Sequence, residues 1–261
     1  MTIESTNDNN TTAPAITYSE CYQQCFCSDN LELMKTIESN TIDLIYCDIL
    51  YGTGRRFADY QDLKPIRSEI ESHYIPRIKE MHRILKPTGS IYLQMDTRIN
   101  HWVRCIMDDI FGYENFRNEI CWGYMWGGVS KTRFPCKHDL IIFYSKSNKY
   151  KYNIQYEKYK TKDIRWHNNK NGKSLRDIWD DIPIINTMSE ERVGYDTQKP
   201  IALIERIIKA SSNEGDLVAG FYLGSGTTAK VCKDLNRNFI GCDINPRAVE
   251  ITLKRLNDAQ F

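Results

Sequence analysis

Apolar residues fall into short runs divided by polar, periodic stretches. The runs TIDLIYCD (41–48), GSIYLQMD (89–96), CKHDLIIFYSK (136–146) and DLVAGFYL (216–223) read as strands, and RNFIGCDI (237–244) is a shorter fifth. Helical patterns lie between them. In IRSEIESHYIPRIKEMHRILKP, the residues Ile70, Tyr74, Ile78, Met81 and Leu85 share one stripe, and Pro87 marks the end. PIALIERIIKASSN, TTAKVCKDLNR and PRAVEITLKRLNDA are helix-like as well. Strand and helix in alternation predict an α/β fold with a mostly parallel sheet covered on both faces. From about 147 to 190 the alternation stops. That segment is polar, basic and aromatic with poor periodicity, and a long irregular stretch inside a compact domain points to an inserted recognition region.

Composition narrows the class. A chain of 261 residues with 41% apolar content suits one large domain, or one domain carrying an insertion. No run approaches the roughly 18 apolar residues of a membrane span. The start, MTIESTNDNNTTAPA, has neither a basic opening nor an apolar stretch, so residues 1–17 are expected to be a disordered tail and the protein cytoplasmic. Of nine cysteines, only Cys21, Cys25 and Cys27 lie close together, and C-x3-C-x-C lacks a second ligand pair. Reduced structural thiols, with no metal, are expected. The net charge of +1 gives no global sign of a nucleic-acid partner. Its distribution does: between Lys146 and Lys173 nine Lys/Arg face only Glu157 and Asp163, with Tyr150, Tyr152, Tyr156, Tyr159 and Trp166 interleaved. Such a mixture can neutralise phosphates and stack on bases, although a solvated surface insertion would look the same.

Two strand ends carry candidate chemistry. In FYLGSGTTAKVCKDLNRNFIGCDI, a strand runs into Gly224-Ser225-Gly226, a helix opens through Thr227 and Thr228, and Asp243 closes the next strand. Glycines admit a ligand close to the backbone, the helix start offers N–H groups, and the acid can accept ribose hydroxyls. Ala229 stands where a dinucleotide fingerprint would place a third glycine, so an adenosine ligand without a pyrophosphate fits at least as well. The second is YCDILYGTGRRFADY, where Asp48 and Tyr51 sit at the exit of a buried run.

In this order the pieces resemble the amino-group DNA methyltransferases of the β arrangement, over roughly residues 18 to 257. Asp48-Ile49-Leu50-Tyr51 corresponds to that family's D-P-P-Y segment, and Tyr222-Leu223-Gly224-Ser225-Gly226 to its F-x-G-x-G turn. GYDTQKPIALIERIIKASSNEGDLV (194–218) is similar to the segment before the cofactor strand, and CSDNLELMKTI to an early segment whose acid meets the cofactor adenine. The resemblance implies a doubly wound, Rossmann-like, seven-stranded methyltransferase sheet over 18–261, with target recognition at about 147–190. It implies S-adenosylmethionine as cofactor and double-stranded DNA as partner, and leaves room for a homodimer and a cognate restriction endonuclease. A DNA-bound protein of this kind would be associated with the nucleoid.

The implied roles follow. Asp48 and the Ile49 carbonyl accept the two N–H bonds of a target amine, and Tyr51 stacks on the flipped base. Asp29, Asp48, Lys199, Pro200, Phe221, Tyr222, Gly224, Ser225, Gly226, Thr227 and Asp243 surround the cofactor. Lys131, Arg133, Lys158, Lys160, Lys162, Arg165 and Trp166 meet nucleic acid. An acid at position 48 favours adenine N6 over cytosine N4 as target. The alternatives are a catalytically impaired DNA- or cofactor-binding subunit that partners an active methyltransferase, because Ile49 and Leu50 replace both prolines and Gly220 replaces a family acid, or a cytosine-N4 methyltransferase. Loss of the prolines is expected to loosen the site and slow the enzyme.

Overall fold

The computed structural model describes residues 22–57, 60–124, 128–159 and 169–257. Strand β2 (Ile42–Asp48) is buried at every position but its last, because it runs through the middle of the sheet. It pairs in parallel with β3 (Leu85–Met95) on one side and β9 (Leu217–Gly220) on the other. A strand covered on both faces reads as a continuous apolar run, which is why TIDLIYCD shows no alternation. Beyond β9 lie β10 (Asn238–Asp243) and β1 (Gln23–Cys27), both parallel. Beyond β3 the sheet changes direction. β5 (His138–Ser145) is antiparallel to β3 and to β4 (Phe116–Gly123), and the two-residue β8 (Ile178–Trp179) adds to the edge. The order is β1-β10-β9-β2-β3-β5-β4-β8, with β6 (Tyr156–Glu157) and β7 (Lys173–Ser174) forming a separate pair.

Alternate side chains of each strand feed two cores. Ile45 and Cys47 of β2 face a core with α1 (Asn30–Thr36), α2 (Arg67–Ile84) and α3 (Asn100–Phe111), represented by Met34, Ile78 and Met107. Leu44 and Tyr46 face the opposite core with α4 (Ile201–Ser211), α5 (Thr227–Asp234) and α6 (Pro246–Asn257), represented by Ile207, Val231 and Val249. The sheet is thus doubly wound, as expected. From β9 the chain crosses to β10 through α5 on one face, and from β2 to β3 through α2 on the other. The crevice at that switch is where an open α/β sheet binds ligands. No helix among the described residues is long and apolar enough to cross a membrane.

Several boundaries differ from the sequence expectations. Helix α2 stops at Ile84, and Leu85 begins β3, so Leu85 leaves the helical stripe for the sheet. The run at 136 becomes strand only from His138, which leaves Cys136 exposed in the preceding loop. Strands β1 and β4 and helices α1 and α3 went unread, β1 and β4 because their polar positions break the apolar runs. The expected tail at 1–17 and Cys21 lie outside the described residues.

The insertion expected at 147–190 is stitched to the core along its first part. The Lys146 ammonium donates to the Leu85 carbonyl at 2.6 Å, and Asn153 donates to the carbonyls of Lys209 and Ser212. Lys151 bridges Asp43 at 2.9 Å and Asp216 at 2.6 Å. Asp43 opens β2, five residues or about 17 Å from Asp48 at the other end. Lys146 and Lys151 therefore serve the fold, and the basic charge left for a partner is smaller than the sequence count.

Burial would raise the Asp43 carboxyl, but Lys86, Lys151 and the Leu217 N–H outweigh it and hold it below the ordinary carboxylate range. A lowered native value adds stability above the unfolded value of about 3.9, and that stability is lost as pH falls through the native value. Asp43→Asn is expected to cost roughly 2–3 kcal/mol at pH 7 and to flatten the loss of stability between pH 4 and pH 2, measured by urea denaturation.

Candidate active site

Parallel strands β1, β10, β9 and β2 end on the same side, and their exits open into one cleft of about 700 Å³. Asp48, the last residue of β2, stands in it. The chain then turns sharply, with Gly52 at φ +64° and Gly54 at φ +68°. A side chain at Gly52 would place its Cβ 2.6 Å from the Ile99 side chain, so this position needs glycine for both reasons. The buried Asp62 carboxylate gathers the loop, accepting the N–H groups of Gly52, Thr53 and Leu63 at 3.1, 2.8 and 2.8 Å.

Where the prolines are missing, hydrogen bonds take over. The Ile49 N–H donates to the Gln94 carbonyl at 3.0 Å and carries the β2–β3 ladder one residue further, a bond that proline could not make. The Tyr74 hydroxyl donates to the Leu50 carbonyl at 2.8 Å. The looser loop expected from Ile49 and Leu50 is therefore corrected: the segment is tied at 49, 50 and 51.

Tyr51 holds the third tie. Its hydroxyl lies 2.8 Å from Asp48 Oδ1 and 2.8 Å from Asp139 Oδ2. Lys199 Nζ donates to Asp48 Oδ2 at 2.6 Å and lies 5.4 Å from the centre of the Tyr51 ring. Gln94, fully buried on β3, donates to Asp139 Oδ2 at 2.9 Å and accepts from the Tyr46 hydroxyl at 2.7 Å. Burial raises the Asp48 carboxyl, and the nearby Asp139 charge adds to the rise. The Lys199 charge and hydrogen bond, with the bond from Tyr51, counter only part of it. Burial and the two carboxylates push the Tyr51 phenol well above its usual range, so it stays neutral.

The opposite end of the cleft has a nucleoside's complement of groups. Asp243 accepts the Gly224 N–H and the Asn245 N–H, each at 2.9 Å, and so sets the shape of the glycine turn. Gly224 and Gly226 both have positive φ, at +53° and +73°. Gly224 lines the cleft, with the Tyr195 ring as the nearest obstacle to an added side chain. Gly226 does not line it: a Cβ there would collide with Thr252 of α6. Pro200 also stands behind the wall. Ser225 and Thr227 line the cleft but are buried, where Arg255 donates to the Ser225 carbonyl and the Thr227 hydroxyl. The Thr227 hydroxyl in turn donates to the Lys199 carbonyl at 3.1 Å, joining the two ends of the site.

Asp29 caps α1 through the Leu31 N–H and pairs with Arg77 at 2.8 Å. Arg77 also holds Asn30, whose amide donates to the Phe221 carbonyl at 2.9 Å. Tyr222 shares a 3.0 Å hydrogen bond with His73, whose value burial and Arg77 push down to about 4, leaving it neutral at pH 7. Gly220, where the resemblance places an acid, has the buried Phe239 ring 3.3 Å from the position of a Cβ. A carboxylate there would press on that ring.

Of the expected nucleic-acid contacts, Lys131 and Arg133 sit on an exposed loop that runs into β5 and Asp139, and Lys158 is exposed beside β6. Lys160, Lys162, Arg165 and Trp166 lie outside the described residues. Sequence reasoning missed Asp139, Gln94, Asn30, His73 and Arg77. Asp139 had a signal in HDLIIFYS, since an acid opening an antiparallel strand lands beside the exits of its parallel neighbours. Gln94 depended on strand-to-strand contacts, and Asn30, His73 and Arg77 on helix contacts, that no spacing reveals. Among the described residues no cluster of His, Cys, Asp or Glu could hold a metal ion.

A doubly wound sheet with a nucleoside-type turn and a half-buried acid–tyrosine pair in one cleft defines the class of a nucleotide-cofactor transferase. The family is then shown by sequence: the pattern of the DNA methylases of N6 and N4 type matches residues 42–254, and the chain belongs to that family. It is 35% identical over 241 residues to the type II methyltransferase M.HpaI of Haemophilus parainfluenzae, covering 92% of this chain and 75% of the relative. It is 30% identical over 247 residues to the DNA adenine methyltransferase YhdJ of Escherichia coli K12, covering 88% and 81%. Among solved structures, the cytosine-N4-specific PvuII DNA methyltransferase superposes with a TM-score of 0.71 at 18% identity, over 94% of this chain and 92% of that one. The M1.HpyAVI–SAM complex gives 0.63 at 21% identity, over 90% and 99%. Both are likenesses of fold.

Tyr74→Phe leaves the Leu50 carbonyl without its donor. The variant is expected to lose about 1–2 kcal/mol of stability in urea denaturation, with no change in secondary structure by circular dichroism.

Proposed function

We propose that the protein is a site-specific DNA methyltransferase that moves the methyl group of S-adenosylmethionine to the exocyclic N6 amine of adenine. The observation that carries the reading is the meeting, in one cleft, of Asp48 and Tyr51 with the Gly224 turn and Asp243. The cleft's acids, Asp29, Asp48 and Asp243, and its apolar wall at Tyr222 and Ile244 suit a nucleoside bearing a cationic centre. When bound, that cofactor supplies a methyl group already activated on a sulfonium.

The chain's own residues supply position and field. Asp48 and the Ile49 carbonyl accept the amine's N–H bonds, which frees its lone pair from the ring and offsets the positive charge that develops on it. The Tyr51 ring gives the flipped base a face to stack on, and the Lys199 charge offsets part of the cost of burying the acid. Lys131, Arg133 and Lys158 neutralise phosphates together with Lys160, Lys162 and Arg165, and the stretch near 147–190 with Trp166 reads the target sequence. The acid at position 48 and the likeness to YhdJ support adenine, and the type II relatives support work beside a cognate endonuclease.

Duplex DNA incubated with tritiated S-adenosylmethionine and digested to nucleosides is expected to yield labelled N6-methyladenine. Asp48→Ala should lower the yield at least about 100-fold. Equal counts from both proteins would overturn the enzyme reading in favour of a binding subunit, and N4-methylcytosine would overturn the choice of base.

A further inference from the structure

The Tyr51 hydroxyl carries one proton, yet two carboxylate oxygens, Asp48 Oδ1 and Asp139 Oδ2, each lie 2.8 Å from its oxygen. A neutral phenol donates to one of them. Its oxygen can donate that proton to one carboxylate while accepting a proton from the other, so the three oxygens form one hydrogen-bonded chain. The partners of Asp139 point the same way. Its acceptors face Gln94 at 2.9 Å, Tyr124 at 3.2 Å and Tyr51, all neutral donors. Among the described residues no lysine or arginine lies within ion-pair distance of it, whereas Lys199 pairs with Asp48. Asp139 is only 6% exposed. Asp139 is thus linked to Asp48 through the Tyr51 hydroxyl and held otherwise by neutral donors.

N-methylation generates such a proton, because the methylated nitrogen is cationic and must lose one hydrogen. We propose that Asp139 is a positioning residue for methyl transfer, forming with Asp48 and the Tyr51 hydroxyl one chain that receives the proton given up by the methylated amine. The proposal rests on the methyltransferase reading above. The step balances without any oxidant or reductant. The nitrogen's N–H bond breaks as an O–H bond forms on Asp48. Asp48 passes that proton to the Tyr51 oxygen as Tyr51 gives its own to Asp139, so the net change is one N–H lost and one O–H gained on Asp139. The Tyr124 hydroxyl, on a half-buried residue, is the next oxygen along, donating to Asp139 Oδ1 at 3.2 Å.

The groups facing this chain come from every element packed on it. β2 contributes Tyr46 and Cys47, the latter pushed up to about 12 by burial, and the loop after it contributes Tyr60. Tyr124 follows β4, and Lys199 and Arg98 are the cations. The buried phenols and thiol are neutral at pH 7, so Asp48 and Asp139 are the pair free to exchange a proton.

Carboxyl carbon-13 NMR of aspartate-labelled full-length protein tests the chain directly. In the wild type the Asp48 signal is expected to titrate above the ordinary carboxylate range, because burial and the Asp139 charge raise it. In Asp139→Asn, which keeps the shape and removes the charge, the Asp48 midpoint should fall by about one unit or more. The acid limb of the single-turnover methylation rate should move down by the same amount. A merely structural role would lower the rate equally at every pH. Tyr51→Phe keeps the ring and cuts the chain, so its rate loss at acid pH should equal that of the double variant with Asp139→Asn. An unmoved Asp48 midpoint in an active enzyme, or additive losses in the double variant, would overturn the Asp139 proposal alone. A shifted midpoint in a protein that transfers no methyl group would instead overturn the methyltransferase reading, with the shared proton retained.

Discussion

A carboxylate at the end of a strand buried on both faces is the constraint on which the site depends. Asp48 leaves water at a cost that only a close cation and hydrogen bonds can offset. The cation is Lys199, 151 residues further along the chain and held at 2.6 Å. That pairing draws the segment before α4 across the cleft. The carbonyl of the same lysine accepts the Thr227 hydroxyl, and Thr227 opens the helix after the glycine turn. Acid, cation and nucleoside turn are thus joined through a few polar atoms.

The same economy explains the departures from the family pattern. Proline stiffens a loop by restricting φ, but it removes an N–H. Here Ile49 keeps its N–H and spends it on the sheet, while Tyr74 holds the next carbonyl. Rigidity comes from hydrogen bonds to β3 and α2 rather than from rings in the loop. Packing bears on Gly220: a Cβ there would lie 3.3 Å from the buried Phe239 ring of β10, which would have to give way slightly. The acids that remain in the cleft, Asp29, Asp48 and Asp243, are each anchored by a cation or by backbone N–H groups.

Basic residues show how far a charge count can mislead. Lys146 and Lys151 belong to a run whose surplus of positive charge suggested nucleic acid. In the fold they satisfy carbonyls and buried acids at the strand starts, away from the catalytic end. A lysine's partner depends on what lies opposite it in three dimensions, and composition does not record that.

By itself the sequence determined the doubly wound class, the central strands, four of the six helices and the two chemistry-bearing turns. These depend on local periodicity and on residue types that few other contexts tolerate, such as an acid closing a buried run or glycines at positive φ. Strands β1 and β4 were not legible, because their apolar signal is diluted by polar positions, and helices α1 and α3 also went unread. Tertiary structure alone decided that Asp139, which opens an antiparallel strand 91 residues after Asp48 in the chain, would share the Tyr51 hydroxyl with it. It also decided that Gly226 and Pro200 would build the wall instead of lining the cleft, and that Arg77 and His73 would grip the exits of β1 and β9. Such placements arise from strand direction and helix packing, which bring together side chains that no spacing along the chain connects.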